Sequence, residues 1–217
     1  MFEDLAHEQK YGHSEKFSEQ NDHTDLDAAF ISSFLSTNTN WLDVGSGSGL
    51  IINRLFQKAK QITCIEPVRK YAEQIVKVEN VKIFNSTIEH FNTVQKFDLV
   101  TAFGTMQYFS YDEALNVYKK IRTILNCNKS TCCDRFFLFS GGGRLIVKNQ
   151  FGLKSRVVVN RFSEELQRHY VSEYRTLDEE ISLLKSVGFS EFEVVDIYEP
   201  YMNRFDYTHY YAIVATI

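Results

Sequence analysis

Trp41-Leu42-Asp43-Val44-Gly45-Ser46-Gly47-Ser48-Gly49 is the stretch that decides the fold. Residues 41–44 read as a short strand that runs into three alternating glycines, and the apolar-periodic segment 50–59 behind them reads as a helix. A strand that ends in a glycine loop and enters a helix brings backbone N–H groups close to a ligand without interference from Cβ atoms. The next predicted strand, 61–65, ends at Glu66-Pro67. In a doubly wound sheet the carboxyl ends of adjacent strands lie side by side. An acid at that end can therefore accept the hydroxyl hydrogens of a ribose bound over the glycine loop.

Outward from this unit, short apolar segments alternate with longer amphipathic ones. Segment 24–37 reads as a helix with Leu26, Ala29, Phe30 and Phe34 facing inward, and 68–78 as another. Residues 81–84 form a third strand and 97–103 a fourth, uniformly apolar after Asp98, as suits burial on both faces. Ser110 with Glu113 forms a capping box for a helix that runs to about Leu125, with Leu115, Tyr118, Ile121, Ile124 and Leu125 on one face. A strand follows over 144–148. A second capping box, Thr176 with Glu179, opens a helix whose Ile181, Leu184 and Val187 face inward before it stops at Gly188. Segments 191–198 and 209–216 close the chain as an antiparallel pair. The expected architecture is α/β: a Rossmann-like, doubly wound, seven-stranded, mostly parallel sheet with a C-terminal antiparallel strand pair and helices on both faces. With 10 Gly, 2 Pro, no linker and no repeat, residues 1–217 read as one domain.

Composition narrows the function. Of the 217 residues 44% are hydrophobic and 24% charged, which excludes a disordered or fibrous chain. Lys and Arg number 24 against 28 Asp and Glu, a net charge of −4, so nothing draws the whole chain to phosphate backbones or anionic membranes. No nucleic-acid partner and no membrane span are expected. The acidic start MFEDLAHEQK lacks the basic-then-apolar layout of a signal peptide, so a cytoplasmic location is expected. Monomer and homodimer both fit the composition. Cys64 sits in an apolar run and reads as a buried small hydrophobe. Cys127, Cys132 and Cys133 are three sulfurs, two of them adjacent, where a zinc site needs four ligands with room to wrap; no metal is expected.

The loop also selects the ligand. A dinucleotide loop reads G-x-G-x-x-G, but counted from Gly45 its third glycine falls on Leu50, and counted from Gly47 it falls on Ile52. Asp43, two residues before the loop, would repel a pyrophosphate and suits a cationic ligand. Those features point to S-adenosyl-L-methionine, whose ammonium and sulfonium are both positive. At these residues the chain resembles the class I S-adenosylmethionine-dependent methyltransferases. WLDVGSGSG is similar to their first motif and CIEP to their ribose-binding second motif. FNSTIEHF (84–91), FDLVTAFGTMQYF (97–109), GGGRLIVKNQ (141–150) and LLKSVGF (183–189) are similar to the later ones. The resemblance implies that Asp43 and the backbone of Gly45, Ser46, Gly47 and Gly49 hold the methionyl end, and that Glu66 holds the ribose with Pro67 against the adenine. It also implies that Thr87, Ile88 and Glu89 line the adenine edge and that Phe103 and Gly104 lie under the sulfonium. Many family members carry Asp where Thr87 stands. The resemblance further implies a mobile lid over 1–24 and an insert at 126–140. Segment 149–175, of mixed basic, acidic and aromatic composition, is where the acceptor is expected to bind.

The reaction so implied is methyl transfer to O or N of a small-molecule acceptor: a sugar, a lipid-linked precursor or another metabolite. A general base is needed only for a hydroxyl of high pKa, so no catalytic residue is assigned. His13, Tyr108 and His209 are the candidates. The amino-methylating N-P-P-Y type of motif is absent after the fourth strand, where the chain reads AFGTMQYF. Two alternatives stay open: a non-catalytic S-adenosylmethionine-binding or partner subunit, and an NAD(P)-dependent oxidoreductase.

Overall fold

Residues 23–126, 142–163, 168–198 and 207–217 are described by a computed structural model. Strand β1 (Asn40–Val44) lies at the centre, buried from Trp41 to Val44. β2 (Gln61–Ile65) and β3 (Val81–Phe84) extend the sheet to one side; β4 (Leu99–Phe103) and β5 (Arg144–Gly152) extend it to the other. All four pairings among these strands are parallel. β9 (Thr208–Thr216) runs antiparallel to β5, and β8 (Glu191–Val195) antiparallel to β9 at the edge. The order is β3-β2-β1-β4-β5-β9-β8, seven strands with the chain reversing direction outward from β1, as expected. That reversal opens the crevice above the carboxyl ends of β1 and β4 where ligands of such sheets bind.

Helix α1 (His23–Ser32) and α2 (Leu50–Leu55, continued by a 3-10 turn Phe56–Lys58) pack on one face of the sheet, over Trp41, Ile62, Leu99 and Ile146. α4 (Tyr111–Ile124) and α5 (Leu177–Ser186) cover the other, over Leu42, Val100, Leu145 and Ile213. Both predicted capping boxes are formed. No described helix is long and apolar enough to cross a membrane.

Several expectations are corrected. The 68–78 helix shrinks to one turn, α3 (Arg69–Ala72). β5 continues four residues past Lys148, because β9 pairs with it along its full length. α1 turns a different face inward: Leu26 and Ala29 are exposed while His23, Thr24, Asp27 and Ala28 are buried. The reason is a buried ion pair, Asp27 with Lys148 of β5 at 2.8 Å. Segment 149–175 is mostly strand: the end of β5, then a separate antiparallel hairpin of β6 (Val157–Ser163) and β7 (Arg168–Tyr174). His13, the 1–24 segment up to residue 22, and the 126–140 insert beyond Asn126 lie outside the described residues.

Candidate functional site

A cavity of about 710 Å3 opens above the carboxyl ends of the central strands. Its wall combines the loop after β1 (Val44, Gly45), the end of β2 (Ile65 to Val68) and the turn after β3 (Thr87 to Glu89). It continues with Phe103 to Thr105 after β4, the 3-10 turn Met106–Tyr108 and β7. The β1–β2 register sets Val44 beside Ile65 and β2–β3 sets Ile65 beside Phe84, so their loops meet at one level.

The glycine loop spends its donors on the protein. The N–H groups of Gly45 and Ser46 both donate to the Ile65 carbonyl, at 2.8 and 3.1 Å, and Gly47 N–H donates to Glu66 Oε2 at 2.8 Å. The expectation that these N–H groups face a ligand is therefore corrected: the loop supplies close approach instead. Gly45 has φ +73°, and a Cβ there would overlap the Thr105 side chain. Thr105 in turn donates to the Val44 carbonyl at 3.0 Å, locking the β4 turn to β1. Gly47, at φ +54°, has open space where a Cβ would stand. With those three N–H groups engaged internally, the loop has lost donors that would cradle a pyrophosphate.

Glu66 is 5% exposed and accepts from Gly47 on one oxygen and from Val68 N–H on the other, at 2.8 Å each. Each oxygen keeps a second lone pair for a ligand hydroxyl. Burial raises its pKa above the ordinary carboxylate value, against those two N–H bonds, and Asp43 adds to the rise. Asn85, within the FNSTIEHF stretch, donates to the Glu66 and Pro67 carbonyls at 2.9 Å and fixes this turn. Asp43 is not on the cavity wall. It lies buried in the strand just before the loop, accepting from the Thr101 hydroxyl at 2.5 Å, while Thr101 accepts from Trp41 Nε1 at 2.7 Å. Burial pushes the Asp43 pKa up to about 6 despite the Thr101 bond.

Of the other predicted residues, Gly45, Pro67, Thr87, Ile88, Glu89, Phe103, Gly104 and Tyr108 line the cavity. Ser46, Gly47 and Gly49 do not: Ser46 Oγ donates to the Asp43 carbonyl, and a Cβ on Gly49 would meet Ile75 Cγ1 at 2.8 Å. Thr87 shares a 2.9 Å hydrogen bond with His90. His209 is away from the cavity, its Nε2 2.8 Å from Asp196. His169, which is not among the sequence candidates, lines the cavity with Tyr170, Val171 and Glu173. Arg175 is a further residue that sequence reasoning misses. Its guanidinium, 1% exposed, donates to Glu180 at 2.5 Å and to the carbonyls of Met106 and Phe109 at 2.8 Å each, tethering the turn that carries Tyr108. No local pattern marks Arg175. Glu180, at a buried position of an otherwise amphipathic helix, is the available signal.

Comparison with known proteins agrees with this fold. Residues 42–128 match the family described as Methyltransferase domain. The N1-methyltransferase of 1,6-didemethyltoxoflavin from Burkholderia thailandensis superposes with a TM-score of 0.67 at 16% identity, covering 98% of this chain and 85% of that one. The N-methyltransferase NodS of Bradyrhizobium japonicum, in complex with S-adenosylhomocysteine, gives 0.63 at 15%, covering 99% and 97%. In sequence, the ribosomal RNA small subunit methyltransferase G of Pseudomonas fluorescens is 32% identical over 95 residues, 39% of this chain and 44% of that protein. The chain thus spans less than half the length of the curated relatives it matches. Residues 42–128 are thus similar to a methyltransferase domain, and the solved structures share the fold of the chain.

Proposed function

We propose that the chain transfers the methyl group of S-adenosylmethionine to an oxygen or nitrogen of a small-molecule acceptor. The observation that carries this reading is one cavity joining Glu66, the Gly45 loop and the Phe103–Gly104 turn on one side to the β7 wall on the other. Glu66 accepts the ribose hydroxyls, Pro67 and Ile88 flank the adenine, and Thr87 and Glu89 stand at its edge. Phe103 and Gly104 floor the sulfonium end, with the Asp43 charge below. When bound, S-adenosylmethionine supplies an activated methyl group, which leaves as the S–C bond breaks onto sulfur and the acceptor lone pair forms the new bond. The protein's work is then alignment and exclusion of water, which the tethered turn at Tyr108 and the hairpin support.

Titration calorimetry with S-adenosylhomocysteine tests the reading. Saturable binding is expected, weakened in Glu66→Gln by about 1–3 kcal/mol, the range for leaving buried polar groups unsatisfied. No binding at millimolar ligand overturns it.

The match to a ribosomal RNA methyltransferase favours a second reading, an RNA acceptor. A cavity with four glutamates and no lysine or arginine among its described lining residues speaks for the small molecule. Tight, salt-sensitive retention of RNA by the purified chain would reverse that preference.

A further inference from the structure

The cavity has one-sided chemistry. Among the described lining residues are Glu66, Glu89, Glu113 and Glu173 and no lysine or arginine. Arg156 approaches Glu173 from outside the wall at 2.7 Å and Glu179 at 2.9 Å, while Arg175, which also acts on Glu173, is paired with Glu180, so two positive charges answer three negative ones. Beside these carboxylates stand two tyrosines, Tyr108 and Tyr170, in a T-shaped pair with centroids 5.5 Å apart. Carboxylates beside aromatic faces favour a cation and repel an acid.

A separate feature extends the same wall. In the β6–β7 register Val158 stands opposite Glu173 and Phe162 opposite His169. Directly opposed residues share a face of a hairpin. His169, Val171 and Glu173 of this face line the cavity together with Tyr170 of the other, so β7 borders the cavity, and Val158 and Phe162 lie across the hairpin from it. This face is open and mixed, with Val158 56% exposed, Val171 48% and Phe162 38%, and with Asn160 opposite Val171 between them. Three exposed apolar side chains beside an acidic, aromatic cavity match a ligand with a cationic head and an apolar body.

We propose that the acceptor is an amine carrying an apolar body, its nitrogen held between Glu173, Glu113 and the tyrosine rings and its body laid along Val171, Val158 and Phe162. This assignment rests on the methyl-transfer reading above. The amine arrives protonated and loses one proton to water before it attacks. Its lone pair then forms the N–C bond while the S–C pair returns to sulfur, and the product ammonium can release a further proton to water.

The test uses three probes with one body and different heads: 2-phenylethylamine, 2-phenylethanol and 3-phenylpropionate. Each is titrated into the full chain saturated with S-adenosylhomocysteine. The amine is expected to bind about tenfold tighter than the alcohol, as one charge-assisted hydrogen bond allows, with the acid weakest. Ethylamine, which lacks the body, is expected to bind about tenfold more weakly than 2-phenylethylamine. Val171→Lys, at a half-exposed position, is expected to remove most of the amine's advantage. Amine binding no tighter than the alcohol's, or none at millimolar concentration with S-adenosylhomocysteine bound, overturns the amine while the methyl-transfer reading stands. Ethylamine binding as tightly as 2-phenylethylamine overturns the apolar body. Failure of S-adenosylhomocysteine itself to bind sinks both.

Discussion

The two walls of the cavity are held by different physics. The wall built by β1, β2 and the turn after β4 is held by bonds that each engage a backbone group: the Gly45 and Ser46 N–H groups on Ile65, Gly47 and Val68 N–H on the Glu66 carboxylate, and the Thr105 hydroxyl on the Val44 carbonyl. The opposite wall hangs on a buried charge cluster. Arg175 holds the carbonyls of Met106 and Phe109 and pairs with Glu180, which also accepts from the Tyr118 hydroxyl. Backbone bonds between neighbouring strand ends persist through most side-chain changes. A buried ion network fails when one partner is lost. The proposed cofactor wall is thus a fixed template, and the proposed acceptor wall an adjustable one anchored at a single arginine.

The largest expected effect strikes that anchor. Arg175→Met leaves Glu180 charged and buried without its cation, and should destabilise the chain by about 3–5 kcal/mol in denaturant unfolding. Adding Glu180→Leu to Arg175→Met should recover most of the loss, since no buried charge is then stranded. A cost for Arg175→Met below about 1 kcal/mol, the range of a surface pair, would break the contrast between the walls.

Asp43 tests the other wall next. Its pKa is about 6 in the fold against an ordinary value of 3.8, so between those values the native state holds a proton that the unfolded chain has released. The contribution to stability is full below about pH 4 and is lost as pH rises through about 6, on the order of 3 kcal/mol for a rise of that size. Unfolding measured across this range should show that slope, and Asp43→Asn should flatten it. S-adenosylmethionine, a cation, should bind more tightly as Asp43 ionises over the same window. An unchanged slope in Asp43→Asn would assign it to other groups.

A smaller effect is expected from Gly45→Ala. A left-handed backbone costs an L-residue about 1–2 kcal/mol, and the overlap with Thr105 adds to it. Calorimetry should show weakened S-adenosylhomocysteine binding beyond any loss of stability, because the β1 and β4 loops move apart. Binding equal to that of the unaltered chain would mean that the loops adjust independently.

The same difference between the walls governs what is legible in the sequence. β2 and β3 have the bounds that their apolar runs predict, and both capping boxes form, because turn chemistry and periodicity are local. Glu66 is legible from its place one strand after the glycine loop, since β1 and β2 pair in register up to Val44 and Ile65. Asp43 reads in sequence as facing the ligand, but the fold turns it under the loop, toward Thr101. The inward face of α1 departs from its apolar pattern because Asp27 gains a partner, Lys148, that only the folded sheet brings to it. Lys148 there sits 5.1 Å from the Tyr198 ring and 5.5 Å from that of Phe103, a buried cation no local pattern announces. Hairpin β6–β7 escapes a sequence reading because its strands interleave charged residues with valine and tyrosine instead of showing a clean polar and apolar alternation. His169 reaches the cavity through that hairpin, whereas His209 is drawn aside by Asp196.

The most direct test is a crystal structure with S-adenosylhomocysteine bound. The account predicts its ribose hydroxyls on Glu66, its adenine between Pro67 and Ile88, and its sulfur over Phe103 and Gly104, facing Tyr108 and Tyr170. Ligand density elsewhere on the sheet, or a ribose without contact to Glu66, would contradict it.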